Sequence, residues 1–155
     1  MNTEERIQKQ RELVETIGRY YEKEGLQPTA GRVLGLLMVM DKERFTFDEI
    51  IEELNISKSS ASIALRILQT RGDVDYITMP GDKKRYFELK KRDALSMIDE
   101  FEEKLKRSHA AFRKIIDLKA DSNSPNSQFF KRIIEMLDFF IDRIELLKEE
   151  FLKKQ

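Results

Sequence analysis

The sequence predicts a mostly α-helical protein with one small β-hairpin. Three observations support this prediction: apolar residues recur at helical spacing through most of the chain, two short runs rich in β-branched and aromatic residues stand close together, and glycine and proline separate these segments. The chain has 155 residues, and an apolar fraction of 40% is enough for a core. This length fits one domain of ordinary size, or a small domain with helical extensions.

The first two predicted elements are helices. Residues 3–24 carry apolar side chains one helical turn apart, with Glu, Lys and Arg on the other faces. Residues 29–41 are apolar on nearly every side, so this helix is expected at the centre of the core. Within it, Gly31 and Gly35 leave one helical face without side chains at two positions. We therefore predict that another backbone packs closely there.

Two shorter helices follow, each with its own N-terminal cap. A Ser/Thr-x-x-Glu capping box begins at Thr46 and predicts a helix over 47–54. After a three-residue interruption, Ser57 is a good cap for a second helix over 58–71, which ends at Gly72. The pattern is that of a helix, a tight turn and a helix.

A hairpin and two long helices complete the chain. Strand-forming runs occupy 74–79 and 85–89, and the loop Pro80-Gly-Asp-Lys-Lys84 between them predicts a basic tip. Residues 92–119 and 127–154 are predicted to form helices, each about 40 Å long at 1.5 Å per residue. Helices of this length exceed what one compact core requires.

The order of the middle elements is that of a winged helix-turn-helix. In this fold the second helix enters the major groove of DNA and the hairpin tip, the wing, follows the backbone. The long terminal helices are then expected to serve in dimerisation. The predicted domains are an N-terminal dimerisation helix over 1–27, a DNA-binding domain over 28–91 and a C-terminal dimerisation region over 92–155.

Charge is distributed unevenly along the chain, although its net charge is zero. Residues 55–92 hold 9 basic and 4 acidic side chains, compared with 8 and 12 in residues 1–54 and 12 and 13 in residues 93–155. The local excess of five positive charges therefore falls on the second short helix and the wing. Phosphate contacts would need it there. A solvated charged face without a partner is the alternative explanation.

The predicted DNA-binding residues lie at the start of the second short helix and on the wing. Small polar residues gather at that helix N-terminus, the end that points at bases and phosphates in such motifs. The predicted contacts are Ser57, Lys58, Ser59, Ser60, Ser62, Arg66, Lys83, Lys84 and Arg85. Of these, Ser60, Ser62 and Arg66 are expected nearest the base edges.

Three stretches of the chain resemble the GbsR-type branch of the MarR transcriptional regulators. They are GRVLGLL over 31–37, DEIIEELNISKSSAS over 48–62 and MPGDKKRYFE over 79–88. The resemblance is close over about residues 28–92, and the serine-rich helix together with the wing is its most specific part. It implies a regulator that binds double-stranded DNA as a homodimer, in which the first and last helices build the dimer.

The chain departs from the broader family pattern at two places. The family's wing usually carries Asp-x-Arg, whereas here Asp82 is followed two positions later by Lys84, and Arg85 is displaced by one. After Gly72 an aliphatic residue would be usual, but the chain has Asp73. Regulators similar to this family often sense a small molecule, and some members of the branch are linked to choline and glycine betaine metabolism. The resemblance thus implies an effector whose identity the sequence leaves open.

The terminal helices carry the residues that we predict to form a dimer. In the last helix, large apolar side chains alternate at spacings of three and four, which makes one continuous seam. The first helix has no obvious place in a compact winged-helix core, so it is expected to interlock with the final helix of another subunit. An antiparallel helical hairpin within one chain is the alternative. The predicted dimerisation residues are Ile7, Val14, Ile17, Tyr21, Phe130, Ile133, Leu137, Phe140, Ile144, Leu147 and Phe151.

The sequence argues against several other kinds of function. It contains no cysteine, no glycine-rich phosphate loop and no GxSxG or HExxH motif, so we expect neither an enzyme nor a cofactor. The one histidine, His109, is too little for a structural metal site and is expected at a surface or interface. The longest strongly apolar run, 33–40, is far short of the roughly 20 residues that span a bilayer. We therefore expect a cytoplasmic protein without membrane contact.

One alternative use of the same fold is a protein–protein interaction module that does not bind DNA. Winged helices also serve in this way, since a fold does not fix function. An acidic or neutral wing would favour that interpretation. The wing of this chain is basic instead, with Lys83, Lys84 and Arg85, and therefore favours DNA.

Overall fold

The computed structural model describes Met1–Lys154 and contains six helices and three strands within that range. In chain order these are α1 (Thr3–Lys23), α2 (Pro28–Val39), β1 (Arg44–Thr46), α3 (Phe47–Leu54), α4 (Lys58–Arg71), β2 (Val74–Thr78), β3 (Arg85–Leu89), α5 (Ser96–Leu118) and α6 (Pro125–Leu152). The predicted fold class, mostly helical with a small hairpin, is confirmed. The chain divides into two compact units, the first over Met1–Lys91 and the second beginning at Arg92. No described helix is long and apolar enough to cross a membrane.

The helix-turn-helix has the predicted boundaries because its caps form as the sequence indicates. The hydroxyl of Thr46 accepts a hydrogen bond from the amide of Glu49, whose carboxylate in turn accepts from the amide of Thr46. The hydroxyl of Ser57 accepts from the amide of Ser60 and begins α4. Asn55, at φ 50° and ψ 53°, makes the turn between the two helices in the left-handed conformation.

The sheet has one strand more than the sequence predicts. β2 and β3 form the expected antiparallel hairpin, and β1 pairs with the other edge of β3, which gives the order β1-β3-β2. β1 has only three residues and is too short for an alternating pattern to reveal it. Phe45 of β1 lies opposite Phe87 of β3, and both side chains are buried. The added strand thus ties the wing to the segment that leads into α3.

The core of the first unit is built around α2, as predicted. The side chains of this helix are buried on nearly every side, among them Val33, Leu34, Leu36 and Leu37. Around it pack Ile50 of α3, Leu65 and Leu68 of α4, and Phe87 of β3. Because α2 has no polar face to turn toward water, each of these elements covers part of it.

α1 also covers α2, so the expectation that the first helix has no place in the winged-helix core is wrong. Val14 is buried in the core, and Tyr21 packs against it. The two helices cross at glycines, which lets their backbones approach closely. A Cβ atom on Gly31 would lie 2.8 Å from the carbonyl oxygen of Gly18, and one on Gly35 would lie 2.9 Å from that of Val14. The close packing predicted at these two glycines of α2 is confirmed.

The second unit consists of α5 and α6, which pack against each other. α6 begins two residues earlier than predicted because Ser124 caps it and Pro125 takes the first helical position, where no amide is needed. α5 begins at Ser96 instead of residue 92 because the preceding residues form a turn. There the carboxylate of Asp93 accepts from the amide of Leu95, and its carbonyl accepts from the hydroxyl of Ser96.

Replacing Gly31 with alanine should destabilise the protein. Alanine favours helix over glycine by about 1 kcal/mol, but overpacking costs about 1–3 kcal/mol, and the carbonyl oxygen of Gly18 belongs to a helical backbone that cannot step aside. We expect a lower urea midpoint by circular dichroism for Gly31→Ala. The control Thr16→Ala, on the exposed side of α1, should change stability by less than about 0.5 kcal/mol. An unchanged or higher midpoint for Gly31→Ala would contradict the close crossing.

Candidate nucleic-acid interface

The inward face of α4 determines which of its residues point outward. Four small or aliphatic residues are buried against the core: Ala61, Ala64, Leu65 and Leu68. At about 100° per residue, the direction opposite to these four runs through Ser59, Ile63, Arg66 and Thr70. All of these are exposed. The sequence contains no acidic residue between Lys58 and Arg71, so this outward face carries hydroxyl groups and positive charge without a negative one.

The structure separates the predicted contacts on α4 into two groups. Lys58, Ser59, Ser62 and Arg66 are exposed on the surface of the helix. The hydroxyl of Ser57 donates to that of Ser60 at 2.9 Å and accepts from the amide of Ser60 at 3.1 Å, and it also lies 3.2 Å from the hydroxyl of Ser59. Ser60 is also half-buried. These two serines therefore shape the helix N-terminus, and Ser60 is not the freely exposed side chain that the sequence suggested.

The tip of the wing is held by Asp82, a residue to which the sequence analysis gave no role. One of its carboxylate oxygens accepts from the amide of Lys84 at 2.9 Å, and the other accepts from the hydroxyl of Tyr86 at 2.6 Å. The hydrogen bond from Tyr86, followed by that from the amide of Lys84, lowers the pKa of Asp82, and the bond to Asp82 raises the pKa of Tyr86. Lys83 and Lys84 lie exposed on the loop that this carboxylate braces.

Arg85 is oriented differently from the other two cations of the wing. Its guanidinium carbon lies 4.4 Å from the centroid of the Phe47 ring, in cation–π geometry. Phe47 is the first residue of α3, so this contact joins the start of β3, next to the loop of the wing, to the helix-turn-helix. The displacement of arginine by one position, seen in the sequence, thus places this side chain on a neighbouring element.

Most of the positive charge on this surface is not neutralised by the protein. Among the described residues, Lys58, Arg66, Lys83 and Lys84 take part in no ion pair. Arg71, by contrast, lies 2.8 Å from the carboxylate of Asp73, at the end of α4 that leads away from the turn. Asp73 stands where the family that the sequence resembles usually has an aliphatic residue. It neutralises Arg71 at the far end of the helix, while Lys58 and Arg66, nearer the turn, form no ion pair among the described residues.

Besides Arg71, which pairs with Asp73, three exposed residues of α4 were missed by the sequence analysis: Ile63, Gln69 and Thr70. They extend the outward face beyond the N-terminal turn on which the prediction concentrated. Helical spacing was the signal that could have found them, since Ile63 and Thr70 lie four and eleven residues after Ser59.

The second unit carries an apolar groove between α5 and α6, with a volume of about 780 Å³. Its lining comes from both helices and from the two residues before α5, and consists of Ala94, Leu95, Met97, Ile98, Phe101, Leu105, Met136, Leu137, Phe140, Ile144, Leu147, Lys148 and Phe151. Phe101, Phe140 and Leu147 are each more than half exposed. An exposed apolar surface of this kind usually marks an interaction site.

The predicted dimerisation residues fall into different environments. Leu137 and Ile144 are buried within the chain, while Phe140, Leu147 and Phe151 are exposed in the groove. The remaining predicted residues of α6, Phe130 and Ile133, are half-buried. On α1, Val14 is fully used in the core of the first unit, and Ile7, Ile17 and Tyr21 are half-buried.

Lys148, the single charged residue of the groove lining, is fully engaged by carboxylates. Its ammonium lies 2.8 Å from Asp99, 2.8 Å from Glu102 and 3.1 Å from Glu145, and the hydrogen bonds to these groups, that to Asp99 foremost, raise the pKa of Lys148. Glu102 is buried and also pairs with Lys106; hydrogen bonds from Lys106 and then Lys148 lower the pKa of Glu102. The groove therefore offers no free charge at this position.

His109 of α5 lies beside Asp138 of α6, and the sequence analysis expected this histidine at a surface or interface. Its Nε2 atom is 2.6 Å from a carboxylate oxygen of Asp138, and its side chain is largely covered. Across Met1–Lys154, no group of three or more His, Asp or Glu side chains is placed to hold a metal ion.

Comparisons with known proteins agree with this geometry. Residues 24–85, from the end of α1 to the start of β3, match the model of the MarR family. The HTH-type transcriptional regulator MmpR5 of Mycobacterium tuberculosis (strain ATCC 25618 / H37Rv) is 37% identical over 79 residues, which are 51% of this chain and 48% of that protein. A crystal structure described as that of a transcriptional regulator is 23% identical, with a TM-score of 0.64 over 92% of this chain and 97% of its own.

The order of α3, α4 and the hairpin makes the first unit a winged helix. The predicted resemblance to the MarR family agrees with the match of residues 24–85 to the model of that family. The chain spans about half the length of the curated relative that it matches. Similarity to the solved structure covers 92% of this chain and concerns the fold alone.

Removing the hydroxyl of Tyr86 should loosen the tip of the wing. The variant Tyr86→Phe loses the 2.6 Å hydrogen bond to Asp82, and a net bond of this kind is worth about 1 kcal/mol. We expect the amide of Lys84 to exchange with solvent about fivefold faster by NMR. Tyr76→Phe in β2 removes a hydroxyl outside this brace and should leave that rate unchanged. Equal exchange in both variants would show that Asp82 does not depend on Tyr86.

Proposed function

We propose that the protein is a transcriptional regulator that binds a palindromic operator in double-stranded DNA as a homodimer. The observation that supports this most strongly is the outward face of α4 together with the wing, where Lys58, Arg66, Lys83 and Lys84 are exposed and form no ion pair among the described residues. Phosphate groups would satisfy these charges. A dimer seated on a promoter excludes other proteins from it, so we propose repression as its action.

In this proposal α4 is the recognition helix, the helix that reads the major groove. Ser59, Ser62 and Arg66 face outward and reach base edges, while Lys58 and the lysines of the wing contact phosphates. Ser57 and Ser60 shape the helix N-terminus through their mutual hydrogen bonds. Arg85 positions the wing through its contact with Phe47. An interaction module without DNA binding would not need this concentration of unpaired cations and is not favoured.

We propose that the groove of the second unit is covered by a second copy of the chain. Its exposed apolar residues Phe140, Leu147 and Phe151 lie on the predicted seam of α6. Each large apolar side chain contributes about 1.5–3 kcal/mol when fully buried, so covering them would stabilise a dimer considerably. The half-buried residues Ile7 and Ile17 of α1 are proposed to join the same interface.

Several finer assignments follow from the resemblance described for the sequence. We propose the GbsR-type branch for the protein, on the strength of the serine-rich α4 and the wing sequence PGDKKRYFE. The domain division at residues 27 and 91, an unidentified small-molecule effector and a place in the cytoplasm, where a regulator meets its promoter, belong to the same proposal. The action proposed is binding, without a catalytic step or a cofactor.

Replacing Lys83 and Lys84 together with alanine should weaken binding to every DNA sequence. Phosphate contacts carry little sequence information, and removing one of them lowers the slope of log affinity against log salt by about 1. We expect this flattening in salt titrations of operator binding by fluorescence anisotropy.

The matched control for this experiment replaces Lys104 and Lys114, two exposed lysines of α5. That double variant should keep the slope of the wild-type protein. If both double variants gave the same slope as the wild type, the wing would not contact phosphates. If neither the wild type nor the variants bound duplex DNA more tightly than bovine serum albumin does, the proposed function itself would be wrong.

Introducing Asp at Phe140 and Leu147 should produce monomers. Both side chains are exposed in the groove, so the charges would oppose association without entering the core of the chain. Ile144 is unsuitable for this test because it is buried within the second unit. We expect halved mass in sedimentation equilibrium, retained helical circular dichroism and an absence of tight operator binding. Leu118→Asp, at the exposed end of α5, serves as the control; a stable wild-type monomer at micromolar concentration would refute the dimer.

A further inference from the structure

One large apolar side chain stands in the middle of the outward face of α4. Ile63 is 47% exposed, and it lies on the same side of the helix as Ser59, one turn before it, and Arg66, nearly one turn after it. The other isoleucine of α4, Ile67, is half-buried and packs against the core. Ile63 thus has no part in holding the helix to the rest of the unit.

Exposure alone would not give Ile63 a role, since single apolar residues are common on protein surfaces. Its surroundings distinguish it. Every other side chain on the outward side of α4 is a hydroxyl, an amide or a cation: Lys58, Ser59, Ser62, Arg66, Gln69 and Thr70. Alanine would form the helix better at an exposed position, because a β-branched side chain loses rotational freedom there. Neither helix formation nor core packing therefore explains this isoleucine.

The floor of the major groove offers one apolar group, the methyl group of thymine. The neighbours of Ile63 suit the polar groups of the same floor and its walls, because hydroxyl groups and arginine donate hydrogen bonds to bases and phosphates. The thymine methyl group is therefore the part of the groove floor that an aliphatic side chain such as Ile63 would contact favourably.

We infer that Ile63 is a specificity-determining residue that contacts the methyl group of a thymine in each half-site. This role rests on the proposed DNA binding and adds a base preference to it. Residues 63 and 66 are separated by about 4.5 Å along the helix axis, and successive base pairs by about 3.4 Å. The thymine should therefore lie within about two base pairs of the base that Arg66 contacts.

The test begins with the full-length wild-type protein and a library of random duplexes, from which bound sequences are selected. Each thymine of the selected sequence is then replaced, one at a time, by deoxyuridine, which lacks the methyl group and keeps the base pair. Binding of each duplex is measured for the wild type, Ile63→Ala and the control Met38→Ala, which removes a side chain of similar exposure from α2. The first substitution should fold normally, because alanine favours helix at an exposed position.

At one thymine in each half-site, the loss of the methyl group should weaken binding by the wild type about fourfold, the factor associated with one buried methyl group. Met38→Ala should show the same loss. Ile63→Ala should bind the thymine duplex about as weakly as the wild type binds the uracil duplex, and should not distinguish the two.

Two results would overturn this role, and they are distinguishable from a failure of the proposed function. If a sequence is selected but no thymine shows an effect that Ile63→Ala abolishes, DNA binding stands and the role of Ile63 is wrong. The same holds if Ile63→Ala leaves affinity unchanged on every duplex, or weakens it equally on all of them, as a protein-facing or purely structural residue would. If the wild type selects no sequence, the proposed function fails and the base preference falls with it.

Discussion

The first unit is organised by the burial of a helix that has no polar face. Because α2 is apolar on nearly every side, it is stable in water only when other elements enclose it. α1 encloses one side by a backbone contact at glycines, while α3, α4 and β3 supply side chains to the others. This requirement fixes the rotation of α4 about its own axis, since Leu65 and Leu68 must face α2. The polar side of α4 is consequently turned to solvent.

The positive charge of the exposed side of α4 follows from that rotation and from the lack of Asp and Glu residues in α4. α3 carries several carboxylates, yet Arg66 and Lys58 remain unpaired among the described residues. Where an acidic residue does occur near α4, at Asp73, it neutralises Arg71 at the far end. Charge is therefore concentrated near the turn and the wing, where the proposed function needs it, in a chain whose net charge is zero.

Local signals in the sequence predicted the helix-turn-helix to the residue, because side chains at Thr46 and Ser57 satisfy the free amides of the helices that they begin. Signals that depend on tertiary contact were weaker. β1 forms by pairing with β3, where Phe45 lies opposite Phe87. A strand of three residues is too short to show an alternating pattern in the sequence. The place of α1 depends on glycines in two separate helices meeting, and only those of α2 were interpreted from the sequence. In the candidate site, the exposed side chains of α4 could be inferred from helical spacing. The hydrogen bonds between Ser57 and Ser60 and the contact of Arg85 with Phe47 could not be inferred in this way.

The bracing of the wing has a thermodynamic consequence for any ligand that it meets. Asp82 fastens the loop to Tyr86 of β3, and Arg85 at the start of β3 contacts Phe47 of α3, so the side of the tip that leads into β3 is tied to the body of the unit. Restricting a residue's backbone costs about 1–2 kcal/mol of conformational entropy. In a flexible loop this entropy would be lost when the ligand binds. In this wing much of it is already lost when the chain folds. The tip is thus preorganised, and a ligand gains the contact energy of its lysines with a smaller entropic loss.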